Sequence, residues 1–457
     1  MNASGFCHGN RHSHVQSMIR YRAFYVLVLT VAFVGCRKRT PVNEISTSES
    51  GIQVQEFDRS LTKGDWNQWR GPQRDGVAVD QPLPIEWGES KNIDWDVDIP
   101  GRGHGSPIVV NDLVVVSTAI DSTEEQRVVA FDQHSGEQKW STVVHQGGFP
   151  SRRDVHQKAT NANGTVASDG NLFVIAHLNQ NRIIVSALDQ SGEIAWQRDI
   201  GAFASKFGYA PSPILYKSLV IVAADNFGGG YIAGLDLASG EVAWRRSRGD
   251  ASTYSSPHVA TVAGIDQLLI AGGNRVASYD PATGEPLWET EGTAASTCGT
   301  VVTAGEKVFA SGGYPDKETV CLSASGERLW SQSTKLYEPS PITDGKNLFG
   351  VTDDGIAICW SGDEGTVLWR KRLGGNFSGS PVLCNGHLYV ADLSGNTYVF
   401  AASAEGYQPI AKNRLGDDCY ASPAISDSAI YLRIGIGSGN SRKERLVKIR
   451  DTSGKSS

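Results

Sequence analysis

Paired cysteines are missing from this sequence. Its 7 cysteines include no C-x-x-C and no adjacent pair, which excludes a zinc ribbon and a redox dithiol. Cys7 and Cys36 fall near the N-terminus, while Cys298, Cys321, Cys359, Cys384 and Cys419 are scattered and read as buried thiols acting as small hydrophobes. Methionine is almost absent, at 2, and glycine reaches 51. Glycine inside a helix costs about 1 kcal/mol relative to alanine, so long helices are not expected. Basic charge is not in excess either. The net charge is −7, and basic clusters are limited to "CRKR" (36–39) and "SRKER" (441–445), the second read as a solvated hairpin. Nucleic-acid binders carry a broad basic face, so nucleic acid is not an expected partner. G-x-S-x-G and H-E-x-x-H are absent, which removes two hydrolase readings. "GIGSGN" (435–440) has no helix pattern after it and reads as a hairpin tip rather than a phosphate loop.

An apolar run of membrane-spanning length is also lacking. "AFYVLVLTVAFVG" (23–35) has 13 residues, fewer than the roughly 18 that a spanning helix needs. It suits the h-region of a signal peptide, with Arg20 and Arg22 as the positive flank. It runs into "FVGC" (33–36), which resembles a bacterial lipobox, where the leader is cut before a cysteine that carries diacylglycerol. Residues 1–36 are therefore expected to be a signal peptide and Cys36 a lipid attachment site. Nothing before Met18 fits an n-region, which makes Met18 a candidate start. Residues 37–63, rich in Ser, Thr and Glu, are expected to be a flexible tether, and 451–457 a disordered tail.

What the chain does have is a repeat. The phrase "DLASGEVAW" has relatives throughout: a turn glycine at Gly136, Gly192, Gly240, Gly284, Gly326 and Gly365 is followed four residues later by Trp140, Trp196, Trp244, Trp288, Trp330 and Trp369. Trp95 sits in a similar strand without the turn, and "SAEGYQPIAK" (403–412) keeps the turn without the Trp. A second register agrees. Small-residue pairs open apolar alternating runs at 105, 164, 212, 256, 299, 340, 380 and 422. Asp/Asn-Gly turns within "SDGNLFVIA", "TDGKNLFGVT" and "CNGHLYVAD" mark hairpins. The mechanical reason is local. Asp opens a turn by accepting backbone N–H bonds, glycine takes the left-handed position, and the Trp ring fills the wedge between sheets. The fold expected is all-β: an eight-bladed β-propeller of four-stranded antiparallel blades over 64–450. The strand around Trp95 is expected to pair with the last blade and so remove two open edges.

The repeated A-x-D-x-x-(S/T)-G-E-x-x-W phrase resembles that of the PQQ-type propellers, seen in quinoprotein alcohol dehydrogenases and in BamB-like assembly lipoproteins. "DWNQWRGPQRDG" (65–76) resembles the segment that leads into such propellers in secreted proteins. The resemblance supports two functions. The favoured one is a non-catalytic scaffold in the cell envelope, lipid-anchored, facing the periplasm and binding other envelope proteins or peptides, with no cofactor. The alternative is a PQQ-dependent dehydrogenase oxidising an alcohol or sugar, which needs PQQ with Ca²⁺. The vicinal Cys-Cys that the resemblance would require in the alcohol dehydrogenases is absent. No catalytic, cofactor or metal residues are singled out; His104, His145 and His156 have no spacing that demands a shared metal. Candidate binding residues on the channel rim are Tyr209, Tyr254, Tyr337, Phe377 and Tyr420, two or three places ahead of the small pairs. The long insertion at 145–165 adds Arg152, Arg153, His156 and Lys158.

Overall fold

The eight expected units are eight four-stranded antiparallel sheets, seven of them running in chain order from inner to outer strand and the eighth taking its outer strand from the N-terminal side. A computed structural model describes residues 41–56 and 60–453; the expected signal peptide, 1–36 with Cys36, lies outside them. Blades 1 to 7 occupy 108–146, 167–202, 214–249, 258–291, 302–332, 342–372 and 382–414. Blade 8 combines 424–449 with the N-terminal strand Ile93–Ile99, which pairs Ile93 with Ile449 and Val97 with Leu446. The two ends of the propeller segment thus complete one blade and close the ring.

Tryptophan and glycine work as one device. In blade 1, Asp132 Oδ1 accepts from the backbone of His134 and Ser135, and Gly136 takes a φ of 75°. A β-bulge then precedes the ring: Trp140 faces Ala130 while Gln138 faces Phe131, so Lys139 is the extra residue. A bulge bends its strand and re-aims the next side chain, and the same shift recurs in the outer hairpins of blades 2 to 7. Each ring lands on the turn of the following blade. Trp140 Nε1 donates to Gln190 O at 3.1 Å, and a Cβ on Gly192 would stand 2.5 Å from that ring. Trp95, Trp196, Trp288, Trp330 and Trp369 donate in the same way to the next turn. Trp244 is the exception: it is wholly buried, and its Nε1 has no partner.

The small pairs form the inner ring. The backbone N of Ser106 donates to Thr165 Oγ1, Thr165 to Ser212, and Ser212 to Ser256. The ring resumes from Thr300 to Ser340, Ser380 and Ser422, and Ser422 returns to Ser106 at 3.0 Å. Between Ser256 and Thr300 no such bond is recorded; there the Thr300 hydroxyl accepts the indole N–H of Trp69 at 2.9 Å.

Trp69 belongs to a segment that plugs the channel. Trp66 pairs with Val109, Asn67 with Ser168, and Gln68 Oε1 accepts Leu215 N. Arg74 donates to Val259 O, Arg70 to Pro341 O, Ala78 N to Leu383 O, and Gln81 accepts Ser428 N. With the Trp69 bond to Thr300, every blade is touched. Burial in this plug brings the Arg70 guanidinium down to about 10.

Two expectations about the ends change. Residues 41–56, expected to be a flexible tether, are bound along blade 3: Ile45 bridges Arg245, Ser50 donates to Ala243 O, and Gln55 N donates to Ser218. Val42, Ile52 and Val54 are the reason, since each packs on buried blade residues. The expected tail is described to Ser453, and Thr452 N still donates to Asn92 Oδ1.

The plug also makes the fold acid-sensitive. Burial, with Arg74 and Arg70 nearby, pulls the His258 imidazole down to about 3. The unfolded chain takes that proton near pH 6.5 while the folded chain does not, so stability is lost as pH falls below 6.5. From His258 alone the loss reaches about 2 kcal/mol by pH 5. Urea denaturation at pH 7 and pH 5 checks this: His258→Gln is expected to lose about 2 kcal/mol less than the native chain over that interval.

Candidate functional site

With one end of the channel plugged, the other opens into a cavity of about 1000 Å³ floored by Trp69. Its wall follows a rule. The residue two places before each ring hydroxyl faces the cavity, His104, Tyr254, Cys298, Glu338, Ser378 and Tyr420 among them. The residue three places before is buried in every blade but one, where Leu336 takes the inward place and frees Tyr337 to face the cavity.

That rule sorts the rim candidates. Tyr254, Tyr337 and Tyr420 line the cavity. Tyr209 and Phe377 do not belong to this wall and are corrected to core residues. Tyr209 donates to Ala223 O between strands and meets Phe203 edge-on, while Phe377 is fully buried against Tyr398. Their register three places ahead turns them inward. His156 and Lys158 line the cavity. Arg152 and Arg153 sit in a short 3-10 turn, Arg152–Asp154, exposed and away from the wall. His104 stacks on Tyr420 with centroids 4.2 Å apart, His145 meets His177 at 5.7 Å, and His156 packs on Phe207, so the three histidines do not converge.

The insertion is a flap fixed at its base. Asp154 O accepts Ser205 Oγ and Gly208 N, and His156 N donates to Phe207 O. Its Lys158 Nζ donates to Glu338 Oε1 at 2.9 Å. Burial works against the Lys158 charge, but the bond to Glu338 and the fields of Glu338 and Asp353 outweigh it and hold the ammonium above its ordinary value. Glu338 Oε2 accepts Ser378 Oγ, and Asp353 Oδ1 accepts the backbone N of Tyr337 and Glu338. Burial raises the Asp353 carboxyl. It also pushes the Cys298 thiol well up, which favours the thiol over the thiolate at neutral pH.

Sequence reasoning missed Trp69, Phe207, Phe227, Tyr314, Glu338 and Asp353. Phe207, Phe227 and Tyr314 are exposed at the cavity edge, with Lys206 Nζ 5.2 Å and 5.4 Å from the two phenyl centroids. Glu338 was within reach, since it holds the same register as Tyr254 and Tyr420.

Calcium with PQQ would need a carboxylate and further oxygens aimed into open space. Of the three wall carboxylates, Asp250, Glu338 and Asp353, the last two are instead committed to Lys158, Ser378, Lys335 and backbone N–H groups. Among the described residues no three His, Cys, Asp or Glu side chains gather into a metal-binding group. As they stand, Glu338 and Asp353 present no free carboxylate to that cofactor.

Repeat, ring and wall together define an eight-bladed PQQ-type propeller with one plugged and one open end. The chain belongs to the family described as outer membrane protein assembly factor BamB, whose model matches residues 73–161, 151–370 and 315–408. It is 22% identical to BamB of Yersinia pestis over 326 residues, 68% of this chain and 78% of that protein. The solved structure of BamB from Moraxella catarrhalis superposes with a TM-score of 0.57 at 16% identity, over 78% of this chain and 99% of that one. Quinohemoprotein alcohol dehydrogenase from Comamonas testosteroni gives a TM-score of 0.63 at 11% identity, over 86% of this chain and 81% of that one. At these identities the structural likenesses speak for the fold alone.

Proposed function

We propose that this chain is a non-catalytic scaffold of the cell envelope that grips a polypeptide segment of another envelope protein in its open cavity. Export and a lipid anchor at Cys36 are part of the proposal, supported by the 13-residue apolar run and the lipobox-like "FVGC". The observation that carries it is the cavity itself: a space of about 1000 Å³, closed below by Trp69 and walled by Tyr254, Tyr337 and Tyr420, with Phe207 and Phe227 at the edge. Aromatic side chains give large contact area at small entropic cost and dominate binding hot spots. The BamB relatives, named as outer membrane protein assembly factors, favour envelope proteins as partners.

Replacing Tyr254 and Tyr337 together with Ala tests the grip. Capture of envelope partners by crosslinking is expected to fall at least about tenfold, since two hot-spot truncations of 1 kcal/mol or more remove that much affinity. Unaltered capture would defeat the proposal. The dehydrogenase alternative is tested by equilibrium dialysis with PQQ and Ca²⁺. No stoichiometric complex is expected; a tight one with dye-linked oxidation would overturn the scaffold reading.

A further inference from the structure

Lys158 reaches its partner from the far side of the ring. The flap that carries it leads into Thr165 of blade 2, whereas Glu338 leads into Ser340 of blade 6. In the order of the hydroxyl ring those blades are four places apart out of eight, and so stand opposite each other. The flap therefore crosses the cavity to bring Lys158 to Glu338, with the lysine side chain 41% and the glutamate 20% exposed.

The far wall is built to receive a cation. Glu338 Oε1 accepts the ammonium, Ser378 orients the other carboxylate oxygen, Asp353 adds to the field at the same point, and the Tyr420 side chain stands in the same wall. Tyr337 sits beside them and already carries Lys335 Nζ 5.2 Å from its ring centroid. Carboxylates with flanking aromatic faces bind ammonium and guanidinium groups through charge-assisted hydrogen bonds and cation–π attraction, while the rings cover the aliphatic stem.

We propose that Glu338, Asp353, Ser378 and Tyr420 form a subsite for a basic side chain of a partner polypeptide, and that Lys158 is a tethered stand-in occupying it until the partner arrives. The proposal rests on the cavity being the gripping site and names the chemistry it grips. An incoming lysine or arginine replaces the Lys158 ammonium at Glu338, which releases the flap and opens the mouth. A tethered competitor lowers apparent affinity by the fraction of time it holds the site.

The test uses n-butylammonium and n-butylguanidinium as probes and butanol as the neutral control, with binding followed by ligand-observed NMR on the whole chain. Lys158→Ala is expected to bind both cations at least about fivefold more tightly than the native chain, the factor set by losing a half-exposed ion pair. Butanol is expected to show no gain, and Lys158→Ala combined with Glu338→Gln to lose the gain while keeping the native melting curve. Equal cation binding by Lys158→Ala and the native chain overturns the proposal, as does a gain that survives Glu338→Gln. The two proposals fail separately. Cation binding as expected, with partner capture indifferent to Tyr254 and Tyr337, removes the scaffold reading and leaves the subsite. Partner capture that needs those tyrosines, without the cation gain, removes the subsite alone.

Discussion

Trp244→Ala is expected to lower the free energy of unfolding by about 3–5 kcal/mol, the usual cost of deleting a fully packed large aromatic. Trp244 has 0% exposure and lies among Ile221, Ile232, Leu268 and Ile270. Its ring rests against the turn of blade 4, where a Cβ on Gly284 would come within 2.4 Å of it. The indole N–H has no partner, so nearly all of the effect is packing, and Trp244→Phe is expected to recover much of it. Trp369 is only partly buried and keeps a hydrogen bond to Ser403 O, so Trp369→Ala is expected to cost less. Urea denaturation of the three variants gives the ranking. A Trp244→Ala loss below about 1 kcal/mol would mean that the wedges do not join the blades.

Glu444→Gln is expected to cost a similar amount, about 3–5 kcal/mol, for an electrostatic reason. Glu444 sits in the closing blade with its side chain 1% exposed, between Arg433 at 2% and Arg442 at 10%. It accepts Arg433 Nε at 2.6 Å, Arg442 Nη1 at 2.8 Å and the backbone N of Gly103. Arg433 also donates to Ser117 O of blade 1 at 2.6 Å, across the closure. Burial already lowers the Arg433 pKa, with the Glu444 charge opposing that shift. A neutral amide keeps the shape and leaves the buried guanidinium without its counter-charge. The exposed pair Lys91–Glu86 is the control, where Lys91→Ala is expected to change stability by less than about 1 kcal/mol. Equal effects at the two sites would remove the argument that Glu444 holds the closure.

The blades were legible because their signals are local. A left-handed turn needs glycine within a few residues of its Asp, and the Trp follows at fixed spacing, so Gly240 and Trp244 announce the same hairpin as Gly326 and Trp330. The closure was legible by count, since the strand around Trp95 lacked the strands that the end of the chain supplied. The plug was not legible. Trp66, Asn67, Gln68 and Arg70 are buried, but each meets a different blade and no period ties them together. The cavity wall was half legible. Tyr254 and Tyr420 held the right register, while Tyr209 and Phe377 stood one residue further from the ring hydroxyl and turned inward. A single residue separates wall from core there, and only the alignment of all eight hydroxyls, Ser106 through Ser422, exposes the difference. Lys158 was visible as a basic residue in a long loop; that it crosses to Glu338 is a consequence of ring closure.

Photocrosslinking in intact envelopes tests the account most directly. A photoreactive residue is placed in the cavity at Tyr337, and separately on the outer strand at the exposed Leu329. The account predicts adducts to an envelope protein from position 337, reduced when Tyr254 is also replaced with Ala, and none from position 329. Adducts from position 329 with none from 337 would contradict it, because the partner would then ride on the outer edge and leave the cavity empty.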